Sequence, residues 1–209
     1  MKKLTYSLVV LLAAVGCSDV EDHDHDHDHD HDHGVPTTVV LNFTPVDGGA
    51  AQSFTWSDPE NDGDPIIDSI VLVGAEDGGV SFDLSVEIWN ELEEPAEDVT
   101  PEIEEEGDTH QLFFTGSGVQ GPATGTPPDA LLSHTYEDED DSGLPLGLVN
   151  KATTLVQGTA ELTVTLRHLP TEDGNATKVS GLAEDVAEGG FAAIAGDSDL
   201  QVTFPLEIQ

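Results

Sequence analysis

The sequence predicts an all-β protein: an antiparallel β-sandwich, Ig-like in the loose sense, with one or two short helices. Three observations predict it. Apolar residues recur with a period of two far more often than 3.6, as in Val80, Phe82, Leu84, Val86 and Ile88, which alternate with Ser81, Asp83, Ser85 and Glu87. Gly, Pro and Asp punctuate the chain between these runs. The apolar residues are mainly Val, Leu, Ile and scattered Phe, which suit pleated, half-buried surfaces.

In chain order, Val39, Leu41 and Phe43 alternate with polar residues, and Phe54 to Trp56 gives a second short strand. Ile66 to Val73 is almost continuously apolar, the pattern of a strand buried on both faces. Val80 to Ile88 follows, then Leu112 to Thr115, Leu131 to Tyr136 and Ala152 to Val156. Leu162, Val164 and Leu166 alternate with Glu161, Thr163, Thr165 and Arg167, and the chain closes on Leu200, Val202, Phe204, Leu206 and Ile208. Thr100-Pro101-Glu102 offers an N-cap, a proline at the first helical position and an acidic first turn, with Gly107 as the stop. Ser180 to Glu188 forms a second helix candidate before Gly189-Gly190, and Gly116 to Pro128 reads as a loop. From Val35 to Gln209 there are roughly 175 residues, enough for one domain with a substantial core.

The chain begins differently. Met1-Lys2-Lys3 is a short basic segment, and Leu4 to Val15 is an apolar run too short for a permanent membrane helix. Ala14-Val15-Gly16-Cys17 resembles a bacterial lipobox, in which the cysteine is acylated and becomes the first residue of the mature protein; Ala14 stands where Leu is more usual. The resemblance implies a signal peptide over 1–16 and a membrane anchor through acyl chains on Cys17, the single cysteine, so that no intrachain disulfide forms. It also implies a location at the bacterial outer membrane or cell surface. Ser18-Asp19-Val20-Glu21-Asp22 is similar to the acidic export signals that follow the lipidated cysteine of some lipoproteins.

Residues 17–34 are expected to be a lipid-anchored, disordered linker. Within it Asp22, Asp24, Asp26, Asp28, Asp30 and Asp32 alternate strictly with His23, His25, His27, His29, His31 and His33, six of the nine histidines in the chain. Imidazole is the commonest side-chain ligand for zinc, copper and nickel, and carboxylate completes or charge-balances such sites. An extended chain would set the imidazoles along one edge about 7 Å apart, which suits several exchangeable sites better than one closed tetrahedral site. No apolar residue in the tract could fold it without metal. A hydrated spacer with no selected metal function accounts for the same composition.

The formal net charge is −38, from 5 Lys and Arg against 43 Asp and Glu. Removal of Lys2 and Lys3 with the signal would leave only Lys151, Arg167 and Lys178. This sign excludes nucleic acid as a partner, and anionic headgroups would repel the chain as well. So acidic a surface attracts cations generally, and it also suits a saline habitat.

Other positions could carry chemistry. Asp58, Glu60 and Asp62 before Gly63, and Asp138, Asp140 and Ser142 before Gly143, set oxygen ligands at positions 1, 3 and 5 of EF-hand-like turns. Both lack the bidentate Glu at position 12, where Ser69 and Val149 stand, so each is at most a weak calcium turn; an acidic hairpin turn is the competing reading. His110 is in phase with Leu112 and Phe114, and His168 with Leu162, Val164 and Leu166. If they meet at one end of the sandwich they form a second candidate metal site with a neighbouring Asp or Glu. His134 lies near the second acidic turn. For an enzyme the chain is poor: it has no nucleophile elbow, phosphate-cradling glycine loop or HExxH, and paired carboxylates are too common to be diagnostic.

The lipobox, the Asp/His tract and the β-rich acidic domain together resemble an uncharacterised group of bacterial His-rich lipoproteins, in particular through Glu104 to Phe114 and the strand Thr163 to His168. The resemblance implies architecture rather than activity. The function expected is capture of zinc or copper on Asp22–His33, for buffering or for delivery to a metal transporter or outer-membrane receptor. The alternative is a structural or interaction lipoprotein whose tract is only a stalk.

Overall fold

In the computed structural model, which describes residues 34–74 and 79–209, strands hold 46% of the chain and helices 10%, in two sheets. The fold class is therefore all-β and sandwich-like, as its alternating sequence requires. All described residues belong to one compact unit, His33–Gln209.

The larger sheet runs β3-β2-β1-β5-β10-β9-β8, with β6 added beside β10 on β5. Its strands are β1 (Thr38–Pro45), β2 (Gln52–Ser57), β3 (Ile66–Ile67), β5 (Ser81–Asn90), β6 (Glu97–Asp98), β8 (Val119–Gln120), β9 (Leu132–Tyr136) and β10 (Val149–Thr154). The smaller sheet runs β4-β12-β11-β7, from β4 (Ile70–Leu72), β12 (Asp197–Ile208), β11 (Gly158–His168) and β7 (His110–Thr115). Most neighbours are antiparallel; β12–β4 and β8–β9 are parallel.

The main core lies between the sheets. The alternation of β1, β5, β11 and β12 delivers Leu41, Phe43, Phe82, Leu84, Val164 and Phe204 into it, all essentially without solvent contact. Phe43 meets Phe54 and Phe82 edge-on, each pair with centroids 5.9 Å apart, a favourable aromatic geometry.

Several elements differ from their sequence reading. The run Ile66 to Val73 is not one buried strand. Ile66 and Ile67 form β3 at the edge of the larger sheet and are exposed, whereas Ile70 and Leu72 of β4 are fully buried in the smaller one. Asp68 makes the break: its backbone N–H donates to Thr55 O, and its carboxylate accepts from Thr55 N at 2.9 Å. The strand buried on both faces is β7. Leu112 and Phe114 enter the main core, while Phe113 joins a second cluster with Leu169, Leu182, Ala183 and Val186. Within the expected loop 116–128, β8 pairs with Leu132 and Ser133. Leu155 and Val156, expected in a strand, follow the end of β10 and are exposed.

Helix α1 (Thr100–Glu105) starts one residue earlier than its sequence suggests. Val99 is the N-cap, and Asp98 Oδ1 accepts from Thr100 N at 3.0 Å, so Thr100 does not cap. Its hydroxyl instead accepts from Ile88 N at 2.8 Å, which ties the helix to β5. Helix α2 (Leu182–Gly189) follows Gly181, whose φ of +93° suits a residue without Cβ, and its buried Leu182, Ala183 and Val186 cover the outer face of β7.

The register of β11 against β12 shifts between Leu166 and Arg167. Arg167, itself buried, spans the irregularity: Nη1 donates to Ser198 Oγ at 3.0 Å, Nη2 donates to Ala195 O at 2.8 Å and also to Gly196 O, and the guanidinium lies 5.5 Å from the Phe191 ring centre. Gly196 has φ +77°, and a Cβ there would fall 2.0 Å from His168 O. Gly196→Ala is therefore expected to destabilise the domain by about 2 kcal/mol or more, because backbone on both sides must shift. A urea midpoint equal to that of the native chain would disprove this.

Candidate functional site

The Asp22–His33 tract and Cys17 lie outside the described residues. Every other candidate can be placed.

His110 and His168 do come together. They face each other across the β7–β11 ladder, and their rings stack with centroids 4.9 Å apart and planes 12° from parallel. His110 is fully buried and His168 half-buried. His110 Nδ1 lies 3.0 Å from Glu106 O, so that nitrogen carries the proton and donates to the carbonyl. The other ring nitrogen, Nε2, is 3.8 Å from Asp199 Oδ2 on β12. In a parallel stack the ring faces meet, whereas a shared metal requires in-plane lone pairs to converge. Among the described residues no group of three or more His, Cys, Asp or Glu side chains has the spacing to hold a metal ion.

His134 is a core residue. It is 3% exposed, stacks on Phe114 with centroids 4.2 Å apart and meets Tyr136 edge-on at 4.8 Å. Its Nε2 is 2.9 Å from Asn150 Oδ1, and Asn150 Nδ2 donates to Gly147 O at 2.7 Å. The ring therefore carries its proton on Nε2 and leaves Nδ1 as a bare acceptor without a partner. Burial pushes its pKa down to about 4 against the smaller opposing effect of Asn150, so it is neutral at physiological pH.

Both acidic turns are organised by backbone amides. In the first, Asp58 is buried, Oδ1 accepts from Asp62 N at 3.1 Å and Oδ2 from Gly63 N at 2.9 Å, while Glu60 is exposed. Asp62 Oδ1 accepts from Asp64 N at 3.1 Å. In the second, Asp138 accepts from Gly147 N and Val149 N, each at 2.7 Å, and Asp140 Oδ1 accepts from Ser142 N at 2.8 Å and Leu144 N at 2.9 Å. Asp140 Oδ2 pairs with Lys178 Nζ at 2.8 Å, and the same ammonium donates to Gly107 O at 2.6 Å. At this turn the cation beside Asp140 is a lysine of the chain itself.

Lys178 is the residue that the sequence reading passed over; its signal was the scarcity of lysine. Its side chain is almost wholly buried, as is that of Asp140. Burial alone would raise the Asp140 carboxyl, but Lys178 and the amides of Leu144 and Ser142 outweigh it and hold the pKa below the usual range. Burial lowers the Lys178 pKa against the opposing charges of Asp140, Asp138 and Asp108. With Arg167 and Lys178 both inside, Lys151 is the one basic side chain among the described residues that is not buried.

No described helix is long and apolar enough to cross a membrane. Comparison with protein-family models, with curated proteins and with solved structures finds no match to this chain.

Proposed function

We propose that this chain is a bacterial cell-envelope lipoprotein, anchored through acyl chains on Cys17, that binds zinc or copper on Asp22–His33. It buffers the metal or passes it to a transporter or receptor in the same envelope. The observation that carries this reading is the uninterrupted Asp/His alternation, which sets six imidazoles and six carboxylates side by side. The domain is consistent with a carrier's part: His134 sits in the core and both acidic turns are held by their own backbone.

The test is calorimetric titration of zinc and copper at neutral pH into the chain starting at Ser18 and into one starting at Gly34. The longer form is expected to take up several ions and the shorter none of comparable affinity. Uptake should weaken as pH falls through the histidine range, because protons compete for the same lone pairs. Equal tight binding of one ion by both forms would move the site to His110 and His168. Binding no better than micromolar by either form would leave the tract as a stalk.

A further inference from the structure

Lys178 and Asp140 are placed for more than attraction. Their side chains are 1% and 3% exposed, and Nζ lies 2.8 Å from Oδ2. Oδ2 nevertheless has no aligned hydrogen-bond donor among the described residues. Oδ1 of the same carboxylate accepts from Ser142 N at 2.8 Å and Leu144 N at 2.9 Å. The ammonium for its part donates to Gly107 O at 2.6 Å. Two amides thus clamp one carboxylate oxygen, a carbonyl holds the amine, and the nitrogen rests beside the carboxyl group. Gly107 permits the approach, since a Cβ there would lie 3.3 Å from Asp140 Cβ.

We propose that Lys178 and Asp140 form an intramolecular isopeptide bond between Nζ and Cγ, which ties the turn after β9 to the segment before α2. A proton first passes from the ammonium to Oδ2 and leaves a neutral amine beside a neutral acid. Burial favours both of these forms over the charged ones. The Nζ lone pair then attacks Cγ, and the negative charge that develops falls on Oδ1. There the amides of Ser142 and Leu144 already donate, so they act as an oxyanion hole.

A second amine proton moves to Oδ2, the Cγ–Oδ2 bond breaks, and that oxygen leaves as water. In the product, Oδ1 is the amide oxygen and keeps both donors, while the remaining N–H on Nζ donates to Gly107 O. Nothing is oxidised or reduced, and no co-reactant is required. Water that could reverse the step is excluded from two side chains so deeply covered. Until the bond closes, the two groups are the ion pair described above. The proposal and the metal reading of the Asp/His tract do not depend on each other.

The experiment is peptide mass mapping of the full chain, purified folded at neutral pH, then unfolded and cut with trypsin and a Glu-specific protease. The segments Asp140–Lys151 and Asp173–Glu184 are expected as one species, lighter than their sum by one water, with the Lys178–Val179 bond uncut by trypsin. Fragmentation should place the link on Asp140 rather than Asp141. Lys178→Arg keeps the positive charge but has no amine to attack, and it should yield the two segments separately. Should that variant not fold, native chain kept in urea from the moment of synthesis serves instead and should also remain unlinked. Separate segments and a cleaved Lys178–Val179 bond in the folded native chain overturn the proposal and leave an ion pair only. A link of equal yield in chain that has never folded overturns it too, because the geometry of the fold is then not its cause.

Discussion

Replacing Lys178 with methionine is expected to destabilise the domain by about 3–5 kcal/mol, the usual effect of removing one member of a buried ion pair. Methionine fills the volume but leaves the Asp140 carboxylate, which has almost no solvent contact, without its counter-charge, and leaves Gly107 O without its donor. The second variant, Lys178→Met with Asp140→Asn, should recover much of the loss. It removes the stranded charge while an amide oxygen can still accept from Ser142 N and Leu144 N. The pH dependence has a defined sign. Asp140 has a depressed folded pKa, so its stabilising contribution is present above the ordinary carboxylate range and disappears as pH falls through the folded value. In Lys178→Met burial dominates and that pKa rises above its unfolded value, so the contribution of this carboxyl reverses sign and the deficit against the native chain should narrow as pH falls. Urea denaturation across pH measures both effects. A loss below about 1 kcal/mol would mean that the ammonium contributes no more than a surface pair does.

That pair also marks where sequence reading ended. The spacing of Asp138, Asp140 and Ser142 before glycine correctly signals a turn in which side-chain oxygens face inward. Which cation meets them is a tertiary fact, settled by the passage of residues 170–180 back across the turn. The strands were more legible, because alternation directly reports one buried face. Hence β1, β5, β11 and β12 fall where their periodicity sets them. The stretch Ile66 to Val73 misled because an apolar run carries no information about which sheet receives it. The interruption at Asp68-Ser69 was the available signal, and it divides the run between two sheets.

Phase and register separate in the same way for the histidines. Being in phase with Leu112 or Leu166 places His110 and His168 at the ends of core-facing rows, and both are found there. That one imidazole stacks directly on the other depends on the β7–β11 pairing, which no single strand encodes. The burial of Gln111 was illegible for a further reason: glutamine on a strand reads as a solvent-facing residue until α2 is known to cover that face.

Between about pH 6.5 and pH 4 the domain is expected to lose roughly 3 kcal/mol of stability through His134 alone. The folded pKa of about 4 lies below the ordinary value of 6.5, so the unfolded chain takes up this proton first. Stability therefore falls as pH drops below 6.5 and levels off below about 4, the reverse of what a histidine gaining an acidic partner would give. The physical cause is burial on Phe114 with one neutral hydrogen bond to Asn150, an environment that has no place for a second proton except on a bare, enclosed Nδ1. Other ionisable groups respond to pH as well, so the measurement is a difference. His134→Gln, which keeps a donor for Asn150, should be less stable than the native chain at pH 7 yet show the shallower decline towards pH 4. Parallel stability curves for the two proteins would show that His134 is protonated in the fold, and the aromatic cage around it would then have to be looser than its 4.2 Å stack implies.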